Sequence, residues 1–268
     1  MALRCTSAKG VRVPCVRANA GVQAKYHRAL MAIIRDMDDS LTYWLRAEYR
    51  KQEPKIIAQD SAADFLQSLM DRLTRRWRKK FDELSKDMAT RFVTGAQRYS
   101  DTAFASRLRD AGFTVRFRPT PGVREAIESS VNENVLLIKS IGETHLNDVA
   151  QLVQRSVAAG RDLGTLTNDL QERYGITSRR AAFIARDQNN KATATINRTR
   201  QMELGLTEAI WVHSGAGRHP RPSHLKAWQD RLRYNLKEGA LIDGKRIFPG
   251  ELPNCRCTGS VIIPGYND

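Results

Sequence analysis

Several things are scarce in this chain of 268 residues, and each scarcity excludes something. No stretch of about 18 consecutive apolar residues occurs, so no membrane-spanning helix is expected. The opening "MALRCTSAKGVRVPCVRANAG" lacks the apolar stretch of a signal peptide, which points to synthesis in a reducing cytoplasm. There are only 4 cysteines, and in that compartment they read as free thiols or metal ligands rather than disulfides. Cys5 and Cys15 lie in a polar arm and read as incidental. Aromatic residues make up 7% of the chain, and no RNP-type aromatic motif or Cys₂His₂ finger is present, so no base-reading module is visible. Neither a Walker A motif nor GxGxxG occurs. Acidic residues are also few: 44 Lys+Arg against 29 Asp+Glu leave a net charge of +15.

That charge is uneven. Residues 1–120 hold 24 basic and 13 acidic side chains, a net of +11, whereas residues 201–268 hold 9 and 7, a net of +2. A polyanion is therefore the first partner to consider, and the N-terminal half is where it would bind. The densest cluster is Arg72, Arg75, Arg76, Arg78, Lys79 and Lys80. It reads either as the solvated face of a long helix or as a contact to phosphate or an acidic protein surface. Contact with duplex DNA would be sequence-independent and salt-sensitive, because basic side chains displace condensed counterions.

Periodicity predicts a mainly α chain: a long N-terminal helical hairpin, a central helical segment and a small β-containing C-terminal module. A basic arm, 1–21, is expected to be flexible. In the basic long-helix region, 22–118, Val22, Tyr26, Leu30, Ile33, Met37, Leu41 and Trp44 form one apolar stripe. Pro54 ends that helix, and Asp60 or Ser61 is placed to cap the next. The second stripe is Leu66, Leu69, Leu73, Trp77, Phe81, Leu84, Met88 and Phe92, ending near Gly95, with a third helical stretch to about Asp110. "FRPTPG", Phe117 to Gly122, is a linker, since two prolines and a glycine stop a helix.

A helical domain, 122–205, follows as four helices near 122–139, 143–159, 162–174 and 178–204. Gly160, Gly164 and Gly175 fall at the breaks, and Thr177 or Ser178 would cap the last. On that last helix Arg186, Asn190, Thr193, Asn197 and Arg200 share a face. They either bond a neighbouring segment or partner, or face solvent while Ala182, Ala185, Ala192 and Ile196 pack.

Residues 206–268 change character, reading as a turn-rich, β-containing module. "LTEAIWVHS" is a strand, "HLKAWQDRL" a short helix begun by Ser223, and Asp243-Gly244 a hairpin turn. "CRCTGSVIIP" is a closing strand. Trp211 to Cys257 gathers three of the five histidines and two of the four cysteines. On a strand, Cys255 and Cys257 point to one face, where a disulfide would be strained but a shared metal would not. With His213, His219 and His224 the spacing is H-x5-H-x4-H-x30-C-x-C, unlike common zinc fingers. The candidate ligands are His224, Cys255 and Cys257, and zinc is the only cofactor in question. The alternatives are a packed corner, with buried thiols and His224 bonded to the loop, or a catalytic use. For a metal nuclease the nearby carboxylates, Asp230, Asp243 and Glu251, are scattered.

The C-terminal half resembles the phage head morphogenesis family, the Mu F-like minor head proteins. The likeness lies in Trp211, then Arg218, Arg221 and His224 in "GRHPRPSH", then Gly244, "FPGE" with Pro249 and Gly250, and Asn254, Cys255 and Cys257 in "NCRC". "SRRAAFIARDQ" and "NRTRQMELG" upstream are similar too. The resemblance covers roughly residues 125–264. It implies a minor, non-enzymatic structural protein of a tailed-phage head, made in the host cytoplasm and carried in the virion. Its implied partners are portal and other head proteins, with few copies per particle or an oligomer, and the motif residues would serve structure. The competing reading is a zinc-dependent hydrolase or nuclease built on His224, Cys255 and Cys257.

Overall fold

The computed structural model describes residues 11–51, 59–159, 162–215, 217 and 219–264. In chain order the elements are β1 (Val11–Arg12), α1 (Ala20–Lys51), α2 (Gln59–Asp110), α3 (Pro121–Ala158), α4 (Leu163–Glu203), β2 (Glu208–Val212), α5 (Pro222–Gln229), β3 (Arg233–Asn235), β4 (Ala240–Ile242), β5 (Lys245–Ile247) and β6 (Thr258–Ile263). The protein is mainly α with small antiparallel strands near the C-terminus, as the periodicity predicts.

The helices are longer and fewer than expected. α2 runs through Gly95 without a break. α3 is continuous where a break near 140–142 was expected. At Gly142 an added Cβ would sit 2.7 Å from the Phe81 ring, so this glycine is a packing notch. α4 is likewise continuous across Gly175. Thr177 and Ser178 cap nothing; their hydroxyls donate to the carbonyls of Arg173 (3.1 Å) and Tyr174 (2.9 Å) one turn back. A helix-interior glycine costs only about 1 kcal/mol, which burial of flanking apolar residues exceeds. α4 is capped by Asp162, whose carboxylate accepts the amides of Gly164 (3.0 Å) and Thr165 (2.8 Å). Gly160 lies outside the described residues. α2 already begins at Gln59, so neither Asp60 nor Ser61 precedes it. The expected linker holds: Thr120 accepts the Val123 amide (3.4 Å) and Pro121 takes the first helical position.

Chain compactness cuts across the four consecutive stretches expected from composition. One unit comprises Ala24–Arg91 and Val131–Ala185, the other Met1–Gln23, Phe92–Ser130 and Arg186–Asp268. Each long helix supplies one stretch to each.

The first unit is four packed helical stretches. Polar cross-links give their directions. Lys139–Asp82 and Arg78–Glu143 run antiparallel between α2 and α3. His145–Thr177 and Arg180–Thr144 run antiparallel between α3 and α4. Tyr26–Asn134 and His145–Asp38 make α1 parallel to α3. α1 and α2 are therefore antiparallel, the expected hairpin. Leu30, Ile34, Met37, Leu41, Leu45, Leu66, Leu73, Trp77, Phe81 and Ile138 are buried here. Three stripe residues depart from expectation. Trp44 is 42% exposed and stacks edge-on with Tyr43 (5.2 Å), while Leu45 takes the core position. Leu84 is 38% exposed and Met88 is only half-buried, while Ser85 and Ala89 are buried. The buried positions here step by four (Met37, Leu41, Leu45, Tyr49; Trp77, Phe81, Ser85, Ala89), so the buried stripe winds by about 40° per step around each helix instead of running straight.

The second unit holds a four-stranded antiparallel sheet of order β1-β6-β2-β3 and the β4-β5 hairpin. The N-terminal arm is not loose from Val11 onward. Val11 and Arg12 pair with Ile263 and Ile262, Val13 is buried, and its amide donates to the Val261 carbonyl (2.9 Å). Asp243 (φ 51°) and Gly244 (φ 73°) form the predicted hairpin turn, both left-handed as a type I′ turn requires. Trp211, Tyr234, Leu236, Ile247 and Val261 pack with Phe104 and Leu108 of α2.

Candidate functional site

The motif residues converge in the second unit. Trp211, next to last in β2, is fully buried and meets His224 edge-on, ring centroids 5.0 Å apart. His224 sits in the first turn of α5. That helix is entered through Arg221 and Pro222, not capped by Ser223; proline at the first helical position needs no side-chain cap. Arg221 Nη2 donates to the Pro253 carbonyl (3.0 Å), joining the start of α5 to the "PNCRC" turn.

α4 holds that turn from the other side. Asp187, buried, accepts the Asn254 amide, and Arg186 Nε donates to Asn254 Oδ1 (3.2 Å). Asn254 adopts φ 59°, a conformation asparagine tolerates better than most residues. Gly250 has φ 85°, and a Cβ there would lie 2.9 Å from Ala194 Cβ, so the turn needs glycine to approach α4. Pro249 is buried beside it, and Gly244 serves the hairpin turn. Arg218 and Cys5 lie outside the described residues, and Cys15 is a half-buried free thiol.

Cys255 and Cys257 precede β6 rather than lie in it, because the ladder starts at Thr258. The expected same-side placement still holds: both are buried, with exposures of 3% and 4%, and Arg256 between them is less so. Their sulfurs each lie 3.6 Å from His224 Nδ1. The other ring nitrogen of His224, Nε2, is buried without a hydrogen-bond partner among the described residues. The bond from Cys257, together with the backbone amides of Cys257 and Gly250 and the nearby His224, outweighs burial and draws Cys255 down to about 5. The same bond, burial and the Cys255 charge push Cys257 up.

A cavity of about 540 Å³ opens onto this cluster, with His213, His219, Arg186, Arg221 and Arg256 on its walls. Asp230, Asp243 and Glu251 are exposed and do not line it. Within the polar stripe of α4, Arg186, Asn197 and Arg200 bond neighbouring segments, Asn190 donates to the Arg186 carbonyl of its own helix, and Thr193 Oγ1 is buried without a hydrogen-bond partner among the described residues. Asn197 accepts from Ser100 (2.7 Å), and Arg200, 2% exposed, grips Asp101 at 2.9 and 2.8 Å. Sequence reasoning placed Arg200 on this face but missed Asp101, 99 residues away. It also missed His145, fully buried between Thr177 (2.9 Å) and Asp38 (3.4 Å) in the other unit.

The basic cluster of α2 divides in two. Arg78 faces Glu143 (3.4 Å), Lys79 faces Glu83 (3.9 Å), and Lys80 faces Asp36 (3.6 Å) while lying over the Trp77 ring. Arg72, Arg75 and Arg76 are exposed and have no ion-pair partner among the described residues.

Residues 147–260, from α3 to β6, match the family model described as Phage Mu protein F like protein. Among curated proteins, an uncharacterized protein of Haemophilus influenzae is 26% identical over 184 residues, 65% of this chain and 38% of that protein. The match thus spans well under half of that relative's length. No solved structure matches the chain.

Proposed function

We propose that this chain, whose residues 147–260 match the Phage Mu protein F like family, is a minor structural protein acting in tailed-phage head morphogenesis. It works without catalysis, at the portal or prohead, in few copies or as an oligomer, and is carried in the virion. The observation that supports this reading best is how the family's motif residues are used. Trp211, Arg221, Gly250 and Asn254 each make a packing contact or hydrogen bond that fixes the small module against α4 or α5. No described helix is long and apolar enough to cross a membrane.

The exposed cations of α2 supply the second half of the proposal, sequence-independent contact with packaged DNA or with an acidic head protein. Arg72, Arg75 and Arg76, exposed and without an ion-pair partner among the described residues, are its contact residues. Mass spectrometry of purified heads from the encoding phage should detect the protein, and its deletion should leave defective heads. Normal heads without it sink the assembly role. Binding to duplex DNA should weaken steeply with salt, and Arg72→Ala/Arg75→Ala/Arg76→Ala should lower the log–log slope by about 2.7. Salt-insensitive or absent binding removes DNA and leaves an acidic protein as the partner.

A further inference from the structure

We propose that His224, Cys255 and Cys257 hold one zinc ion that fastens the C-terminal module. The inference does not depend on the role in head assembly. All three side chains are buried, and their ligand atoms lie within 4.8 Å of one another. His224 Nδ1 is equidistant, at 3.6 Å, from both sulfurs. A tetrahedral ion with Zn–S of about 2.3 Å and Zn–N of about 2.0–2.1 Å sets N···S separations at about 3.5–3.6 Å. A single hydrogen bond would bring the imidazole close to one sulfur; a shared ion places it equally far from two.

The donor set and its surroundings agree. Two thiolates and an imidazole suit zinc, whereas calcium and magnesium require oxygen ligands. Backbone amides of Gly250 and Cys257 point at the Cys255 sulfur, and that of Ser214 at the Cys257 sulfur. Such donors orient thiolate ligands and offset their charge. The ligands come from α5 and from the coil before β6, separated by 31 and 33 residues. The ion would join two segments that the strand ladder leaves unpaired with each other. The cavity walled by His213 and His219 opens onto the three side chains and leaves room for a water as the fourth ligand.

Protein made in zinc-supplemented medium and purified without a histidine tag should carry about one zinc per chain by elemental analysis. Cys255→Ser, Cys257→Ser and His224→Asn should each leave it strongly substoichiometric. Because those variants could lose metal by misfolding, the wild-type chain supplies a separate test. Stripped and titrated with cobalt, it should develop thiolate-to-cobalt charge-transfer absorption and the visible bands of a tetrahedral site, saturating at one equivalent and bleached by zinc. Absence of the charge-transfer band overturns the site. So does a band that survives loss of both cysteines. Chelation should lower the melting temperature of the zinc-loaded protein; an unmoved melting temperature overturns the fastening role.

Discussion

Breaking the Arg200–Asp101 pair should be the costliest single polar change in the second unit. Arg200 is nearly sealed from water and donates two near-parallel hydrogen bonds to Asp101, a third to the Arg118 carbonyl (2.7 Å) and a fourth to Glu203 (3.3 Å). Its guanidinium also lies 4.9 Å from the Phe117 ring centre, and Phe117 stacks on Phe104. Asp101→Leu leaves a buried cation without its main counter-charge, a loss of about 3–5 kcal/mol. Arg200→Met removes the cation but strands the Arg118 carbonyl and a partly buried carboxylate, at about 3 kcal/mol. The double variant removes both charges together, so it should cost much less than the sum, with a coupling of about 2 kcal/mol or more. Urea unfolding followed by circular dichroism and tryptophan fluorescence supplies the values, used where the two probes coincide. Additive single costs would refute the coupling, and with it the view that the polar stripe of α4 acts as an internal clamp.

Other outcomes follow from the same geometry. Gly250→Ala should destabilise by about 2–4 kcal/mol, combining left-handed strain with the Ala194 clash, as chemical denaturation would show. Arg231→Gly should stabilise by about 0.5–1 kcal/mol. That residue closes α5 at φ 50°, with the Leu232 amide on the Ala227 carbonyl (2.8 Å), a motif that prefers glycine. The Asp162 carboxyl is held below its ordinary range, first by the Thr165 hydroxyl and then by the amides of Thr165 and Gly164. Its stabilisation of α4 should therefore be present above the free-aspartate pKa and fade as pH falls through the lowered value. Hydrogen exchange at residues 163–166 should accelerate in Asp162→Ala at neutral pH and match wild type in strong acid.

The sequence carried the helical class, the hairpin of α1 and α2, the Phe117–Gly122 linker and the Asp243-Gly244 turn, because each depends on near neighbours. The break points inside α3 and α4 were not legible. Nothing local shows that α3 runs on through 140–142, where Gly142 packs against the Phe81 ring, and Thr177 reads as a cap until His145 is seen beside its hydroxyl. The proximity of His224 to Cys255 and Cys257 was expected from residue types, but equal distances to both sulfurs depend on how α5 docks. Asp101 and Asp187 gave no local signal at all. Their partners lie 99 and 67 residues away, beyond any periodicity.

The pairing of β1 with β6 has a bearing on synthesis. Ser260 donates to the Val13 carbonyl across a separation of 247 residues, and β6 is also the strand that joins β1 to β2. While the ribosome adds about 5–20 residues per second, the early segment spends many seconds without its neighbour. The four-helix stretches can settle during that interval, but the sheet closes only once β6 has emerged, so its closure follows that of the helices.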